Sequence, residues 1–79
     1  MARLRLFGPA REAAGTGSDV VEGGSVAAVL AEAERRFGPG FAQVLATSKV
    51  WLNGSEADAD APVVAGDEVA VLPPVSGGS

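Results

Sequence analysis

A single long amphipathic helix, bracketed by segments that alternate polar and apolar residues, limits the architectures open to this chain. Val26, Val29, Leu30, Ala33 and Phe37 recur at three- and four-residue spacing, which places them on one stripe of an α-helix. Ser25 stands before the stripe as an N-cap, and Gly38-Pro39 closes it. Glu32, Arg35 and Arg36 fall on the opposite face, with Glu32 and Arg36 in the favourable i,i+4 orientation. The spacing predicts one helix of about three and a half turns. A helix with one apolar stripe needs a second layer to cover it.

The flanking segments supply that layer. Arg3-Leu4-Arg5-Leu6-Phe7 alternates with period two, so Leu4 and Leu6 share one face and the arginines the other. Gly8-Pro9 stops this strand, and Arg11 to Gly17 reads as a connection with room for one helical turn. Asp19-Val20-Val21-Glu22 resumes an extended pattern, which suggests a hairpin with the first strand. Beyond the helix, Phe41 to Leu45 fits either a helical turn or an irregular segment that plugs the core. Lys49-Val50-Trp51-Leu52 is β-rich and runs into Asn53-Gly54, a strong hairpin-turn signal. The acidic, Ala-rich stretch from Glu56 to Pro62 has little to bury. Val63-Val64 then leads through Gly66-Asp67-Glu68 into a last strand, Val69-Ala70-Val71-Leu72.

The order strand, strand, helix, strand, short strand, strand predicts an α+β fold, a mixed sheet curled over one main helix in the β-grasp arrangement. At 79 residues the chain supports one domain, and 15 of its apolar residues are Ala, so the core is small. We expect the domain to occupy residues 1–72, with residues 73–79 as a flexible C-terminal tail, because two prolines remove ladder donors and the glycines that follow favour disorder.

Composition narrows the chemistry. With no Cys and no His, the favoured ligands of zinc and iron sites are missing, and no metal is expected. A formal charge of −4 gives no electrostatic footprint for a nucleic-acid backbone or an anionic membrane. No apolar run approaches a membrane span, and the N-terminus lacks the apolar run and cleavage site of a signal peptide, so a cytoplasmic protein is expected.

The titratable residues form no recognisable catalytic constellation. Asp58 and Asp60, and Asp67 and Glu68, read as solvated loop charges rather than paired general acids. Gly23-Gly24-Ser25 before a helix invites a phosphate-cradle reading, but the Lys of a phosphate loop is absent and Ser25 serves as a cap. Ser18 has no His to activate it, and Lys49 shows no apolar burial to make it nucleophilic. Trp51 fits the core of an apolar strand, with a partner-binding face of the sheet as the alternative.

The C-terminus remains. Pro73-Pro74 favours extended polyproline II, so residues 73–78 can reach roughly 20 Å. Gly77-Gly78 carries no β-carbon to obstruct a narrow channel, and a main-chain carboxylate could be delivered through it to a partner's reactive centre. From glycine content alone a floppy terminus is the plainer reading; a tail on the last strand of a domain with no internal catalytic constellation favours a carried group. Activated as an acyl-adenylate, the carboxylate could exchange an oxygen for a partner's sulfur and become a thiocarboxylate.

The segment from Gly66 to Gly78, Gly-Asp-Glu-Val-Ala-Val-Leu-Pro-Pro-Val-Ser-Gly-Gly, closely resembles the C-terminal signature of the molybdopterin synthase small subunit. Leu6 to Gly15 is similar to the first strand and loop of that family, and the resemblance covers essentially the whole chain. It implies a ubiquitin-like sulfur carrier with no bound cofactor, whose Gly78 is adenylated by an ATP-using activating enzyme and converted to a thiocarboxylate. It further implies insertion of Pro73, Pro74, Val75, Ser76 and Gly77 into the large synthase subunit, within a heterotetramer. Sulfur would then pass to cyclic pyranopterin monophosphate in molybdenum cofactor synthesis. The carrier would be a non-catalytic subunit, and Phe7 and Leu72 are the expected docking residues.

Ser79 departs from the pattern, because the active carrier should end in Gly. Either a processing protease removes it, or it is not native to the chain, or the protein lies outside this pathway. Carriers for thiamine, cysteine or tRNA thiolation share the fold, and a ubiquitin-like protein modifier or a noncovalent interaction module are readings of another class.

Overall fold

The computed structural model describes residues 1–73. β1 (Ala2–Leu6) buries Ala2, Leu4 and Leu6, as the alternation requires. At Gly8 the chain turns with φ of +55°, a region open to glycine, and Pro9 presets the first turn of α1 (Gly8–Ala14). The dipeptide that ends the strand therefore also starts a helix, and the expected loop with one helical turn is a two-turn helix anchored by buried Ala10. Gly15, at φ of 77°, closes it. β2 (Ser18–Val21) returns antiparallel to β1, so the hairpin expectation holds although a helix lies between the strands.

α2 (Val26–Phe37) has the predicted bounds, and the Ser25 hydroxyl accepts from the Ala28 N–H at 3.1 Å. Its fully buried residues are Val26, Val29 and Ala33, with Leu30 and Phe37 half-buried beside them. The Glu32 to Arg36 pair forms at 3.3 Å. Arg36 also reaches the Asp19 carboxylate at 3.0 Å and donates to the Val20 carbonyl at 2.9 Å, tying the helix to an outer strand of the sheet.

Phe41 to Leu45 resolves as helix. α3 (Pro39–Leu45) inserts Phe41, the largest fully buried side chain, into the core, where its ring lies 5.2 Å from that of Phe37. β3 (Lys49–Leu52) turns through Asn53 and Gly54, both at positive φ, into β4 (Ser55–Glu56), the short strand of the expected order. The acidic stretch that follows has a structural task. The carbonyls of Ala61 and Ala59 accept from the N–H groups of Val26 and Ala27 at 3.0 and 2.7 Å, satisfying the open end of α2. β5 (Glu68–Leu72) completes a five-stranded mixed sheet of order β2-β1-β5-β3-β4. β5 runs parallel to β1 and antiparallel to β3, and its Val69 and Val71 face the helices. This is the β-grasp architecture expected from the element order. Among the described residues, no helix is long and apolar enough to cross a membrane.

Candidate functional site

The helices cover one face of the sheet and leave the other open. Because side chains alternate along each strand, the residues between the buried ones define that open face. Arg3 and Arg5 from β1, Ala70 and Leu72 from β5, and Lys49 and Trp51 from β3 share it. Phe7 continues the alternation of β1: it stays extended, and its N–H donates to the Val71 carbonyl at 3.1 Å. Phe7 and Leu72, the expected docking residues, therefore stand on the same face of neighbouring strands. Phe7 is 38% exposed, and the Arg5 guanidinium lies 5.7 Å from its ring centre.

Trp51 belongs to this face and not to the core, against the sequence preference for burial. It is 39% exposed, opposite Ala70 and Glu56 in the sheet register. The signal was present in the alternation, because Val50 and Leu52 turn inward and so send Trp51 outward with Lys49. An exposed Trp beside Phe and Leu on an otherwise polar sheet marks an interaction surface. Lys49 is partly exposed, 3.4 Å from the Glu56 carboxylate, and sits directly opposite Leu72.

β5, the central strand, ends at Leu72. Pro73 follows Leu72, is exposed, and its ring packs over Gly8, where a β-carbon would meet Pro73 Cγ at 3.4 Å. Pro74, Val75, Ser76, Gly77, Gly78 and Ser79 lie outside the described residues. The turn that launches β5 is fastened from several sides. The Asp67 carboxylate accepts from the Val64 N–H at 2.9 Å and from the Asn53 side-chain amide at 3.1 Å, and these bonds hold its pKa below the ordinary aspartate value. The side-chain Oδ1 of Asn53 in turn accepts from the Glu68 N–H at 2.9 Å.

The remaining candidates have structural roles. The helix N-terminus after Gly23-Gly24-Ser25 offers no phosphate cradle, since the Val26, Ala27 and Ala28 N–H groups already have protein acceptors. Gly23 is required by packing, because a β-carbon there would lie 2.7 Å from the Val29 nitrogen. Asp58 and Asp60 are exposed loop residues, and Ser18 is an exposed strand residue. Among the described residues, no group of three acidic side chains could hold a metal ion.

A five-stranded β-grasp sheet whose open face presents Phe7, Leu72 and Trp51 among charged residues is the architecture of ubiquitin-like carrier and modifier domains. The comparisons with known proteins agree. The chain belongs to the ThiS family, whose model matches residues 4–78, and carries the ubiquitin-like sulfur-carrier fold. Among solved structures it is similar to the small archaeal modifier protein SAMP1 from Haloferax volcanii, at 29% identity, 96% and 97% coverage of the two chains and a TM-score of 0.81. A Pyrococcus furiosus protein provisionally assigned as molybdopterin converting factor subunit 1 matches at 25% identity, 94% and 97% coverage and a TM-score of 0.79. A chain in the complex of subunits 1 and 2 of the molybdopterin-converting factor from Helicobacter pylori shares the fold at 23% identity, with 96% coverage of each chain and a TM-score of 0.73. No functionally curated protein matches the sequence.

Proposed function

We propose that this protein carries sulfur as a C-terminal thiocarboxylate on Gly78 and delivers it to cyclic pyranopterin monophosphate in molybdopterin synthesis. The observation that carries the reading is the extent of the family match, which runs through β5 and the diglycine and stops at Gly78, one residue before Ser79. Removal of Ser79 by a protease frees the Gly78 carboxylate. An ATP-dependent activating enzyme joins that carboxylate to AMP with release of pyrophosphate, and attack by hydrosulfide on the acyl-adenylate expels AMP and leaves the thiocarboxylate, with sulfur in place of one oxygen. The open face, with Phe7, Leu72 and Trp51, seats the partner while Pro73 to Gly77 extend the glycine into its active site. The likeness to a molybdopterin converting factor subunit 1, and to a chain that pairs with subunit 2, favours the synthase large subunit as acceptor, within a heterotetramer in the cytoplasm.

Intact mass spectrometry tests this on untagged protein from its native host, before and after incubation with ATP, sulfide and its activating enzyme. A species without Ser79 that has gained one sulfur and lost one oxygen is expected. Retained Ser79 with neither adenylate nor thiocarboxylate overturns the reading. The likeness to SAMP1 supports a second reading, in which activated Gly78 is joined to lysines of other proteins. Conjugates on a denaturing gel, in place of a sulfurated pterin, would favour it.

A further inference from the structure

Three of the 6 basic residues of this net-acidic chain gather around one shallow groove of about 660 Å³ beside the apolar face. Arg3 and Arg5 point from the open face of β1, spaced about 7 Å apart along the strand. Arg11 arrives from α1. Its side chain passes over Gly17, where a β-carbon would stand 3.4 Å from Nε, so the guanidinium lies near the start of β2. Ser18, the next residue, is the register partner of Arg5, so Arg11 reaches the groove from across the strand pair while Arg3 and Arg5 follow one another along β1. Asp19 is the single carboxylate in the lining, and Arg36 already holds it at 3.0 Å. Among the described residues, Arg3 and Arg11 make no ion pair, and Arg5 is 3.6 Å from Glu68.

The arrangement selects the kind of anion. No arginine in the groove is buried, so a lone carboxylate or phosphate would gain little from any one of them against water and salt. An extended segment with several carboxylates engages all three arginines of the groove, and each contact after the first is intramolecular. Nucleic acid fits less well, since the 10 acidic residues face only three basic ones outside the groove and would repel a long phosphate backbone. Arg5 touches both regions, lining the groove and lying over Phe7, so the groove is continuous with the apolar face.

We propose that this groove docks an acidic, extended segment of the protein that seats on the open face of the sheet, Arg3, Arg5 and Arg11 pairing with its carboxylates. The inference rests on the carrier reading for the identity of that protein, the activating enzyme, and has its own test. The full-length chain, labelled with ¹⁵N, is titrated with hexaglutamate, with inorganic phosphate and with a short DNA duplex. Saturable shifts of the amides of Arg3, Arg5, Gly17 and Ser18 by hexaglutamate alone are expected, weakened by salt and about tenfold weaker in Arg3→Gln/Arg11→Gln. An equal response to phosphate or duplex, shifts scattered over the chain, or unchanged affinity in a double variant whose other amides stay in place overturns the proposal. With the activating enzyme, and with wild type and double variant both prepared without Ser79 so that each ends at Gly78, the double variant should raise KM for the carrier about tenfold and leave kcat unchanged. Adenylation with an unchanged KM refutes the groove while the carrier reading stands. If wild type is not adenylated at any concentration, the carrier reading fails, and the peptide titration alone decides on the groove.

Discussion

The ring of Pro73 lies over Gly8, so the first residue past the last strand is packed on the first residue of α1. A β-carbon on Gly8 would meet Pro73 Cγ at 3.4 Å, and the backbone there sits at φ of +55°. Gly8→Ala puts a residue with a side chain into a left-handed conformation, and should cost about 1–2 kcal/mol in urea unfolding. A loss near zero would mean that the turn relaxes and the root of the tail is not held.

Trp51 separates stability from docking. A core Trp truncated to Ala costs about 3–5 kcal/mol, whereas one on the open face should cost under about 1 kcal/mol. We expect Trp51→Ala to keep its melting temperature within a few degrees of wild type and to bind the activating enzyme more weakly, as read by calorimetry of the pair.

Phe41 should be the most costly truncation in the helical layer. It is 0% exposed and packs on Phe37, so Phe41→Ala is expected to lose about 3–5 kcal/mol. Leu30, on the apolar stripe of α2, is half-buried, and Leu30→Ala should lose about 1 kcal/mol. Equal losses for the two variants would contradict this division of the core.

Asp67 makes the protein sensitive to acid. Its carboxylate, held first by the Val64 N–H and then by the Asn53 amide, has a pKa below its ordinary value of 3.8. A group with a depressed folded-state pKa stabilises the fold above its unfolded value, and that contribution is lost as pH falls through the folded value. Thermal melts of wild type and Asp67→Asn should therefore differ most at neutral pH and converge as pH drops below about 4. A constant difference across that range would show that the carboxylate charge has no part in the turn.

Much of the fold was legible because its signals are local. The Ser25 cap, the α2 stripe, the Asn53-Gly54 turn and the alternation of β1 each depend on residues a few positions apart, and each formed as expected. The misreadings fall where a local signal has two outcomes. Gly8-Pro9 is a strand stop and also a helix start, and an apolar neighbourhood does not say which face of a sheet a Trp takes. The acidic stretch before Pro62 gave no sign that its carbonyls would close the end of α2, since that pairing joins residues more than 30 positions apart in the chain.

The sequence by itself determined the strands, the main helix, their order and the apolar stripe that demands a sheet, and it holds the Gly77-Gly78 pair on which the proposed carrier role rests. Only the tertiary structure decided that β5 lies between β1 and β3, because strand neighbours are chosen by burial across the whole sheet and not by local pattern. That choice sets Phe7 beside Leu72, turns Trp51 to the open face and roots the tail at Gly8. The folded chain also brings Arg11 of α1 to the groove lined by Arg3 and Arg5 of β1.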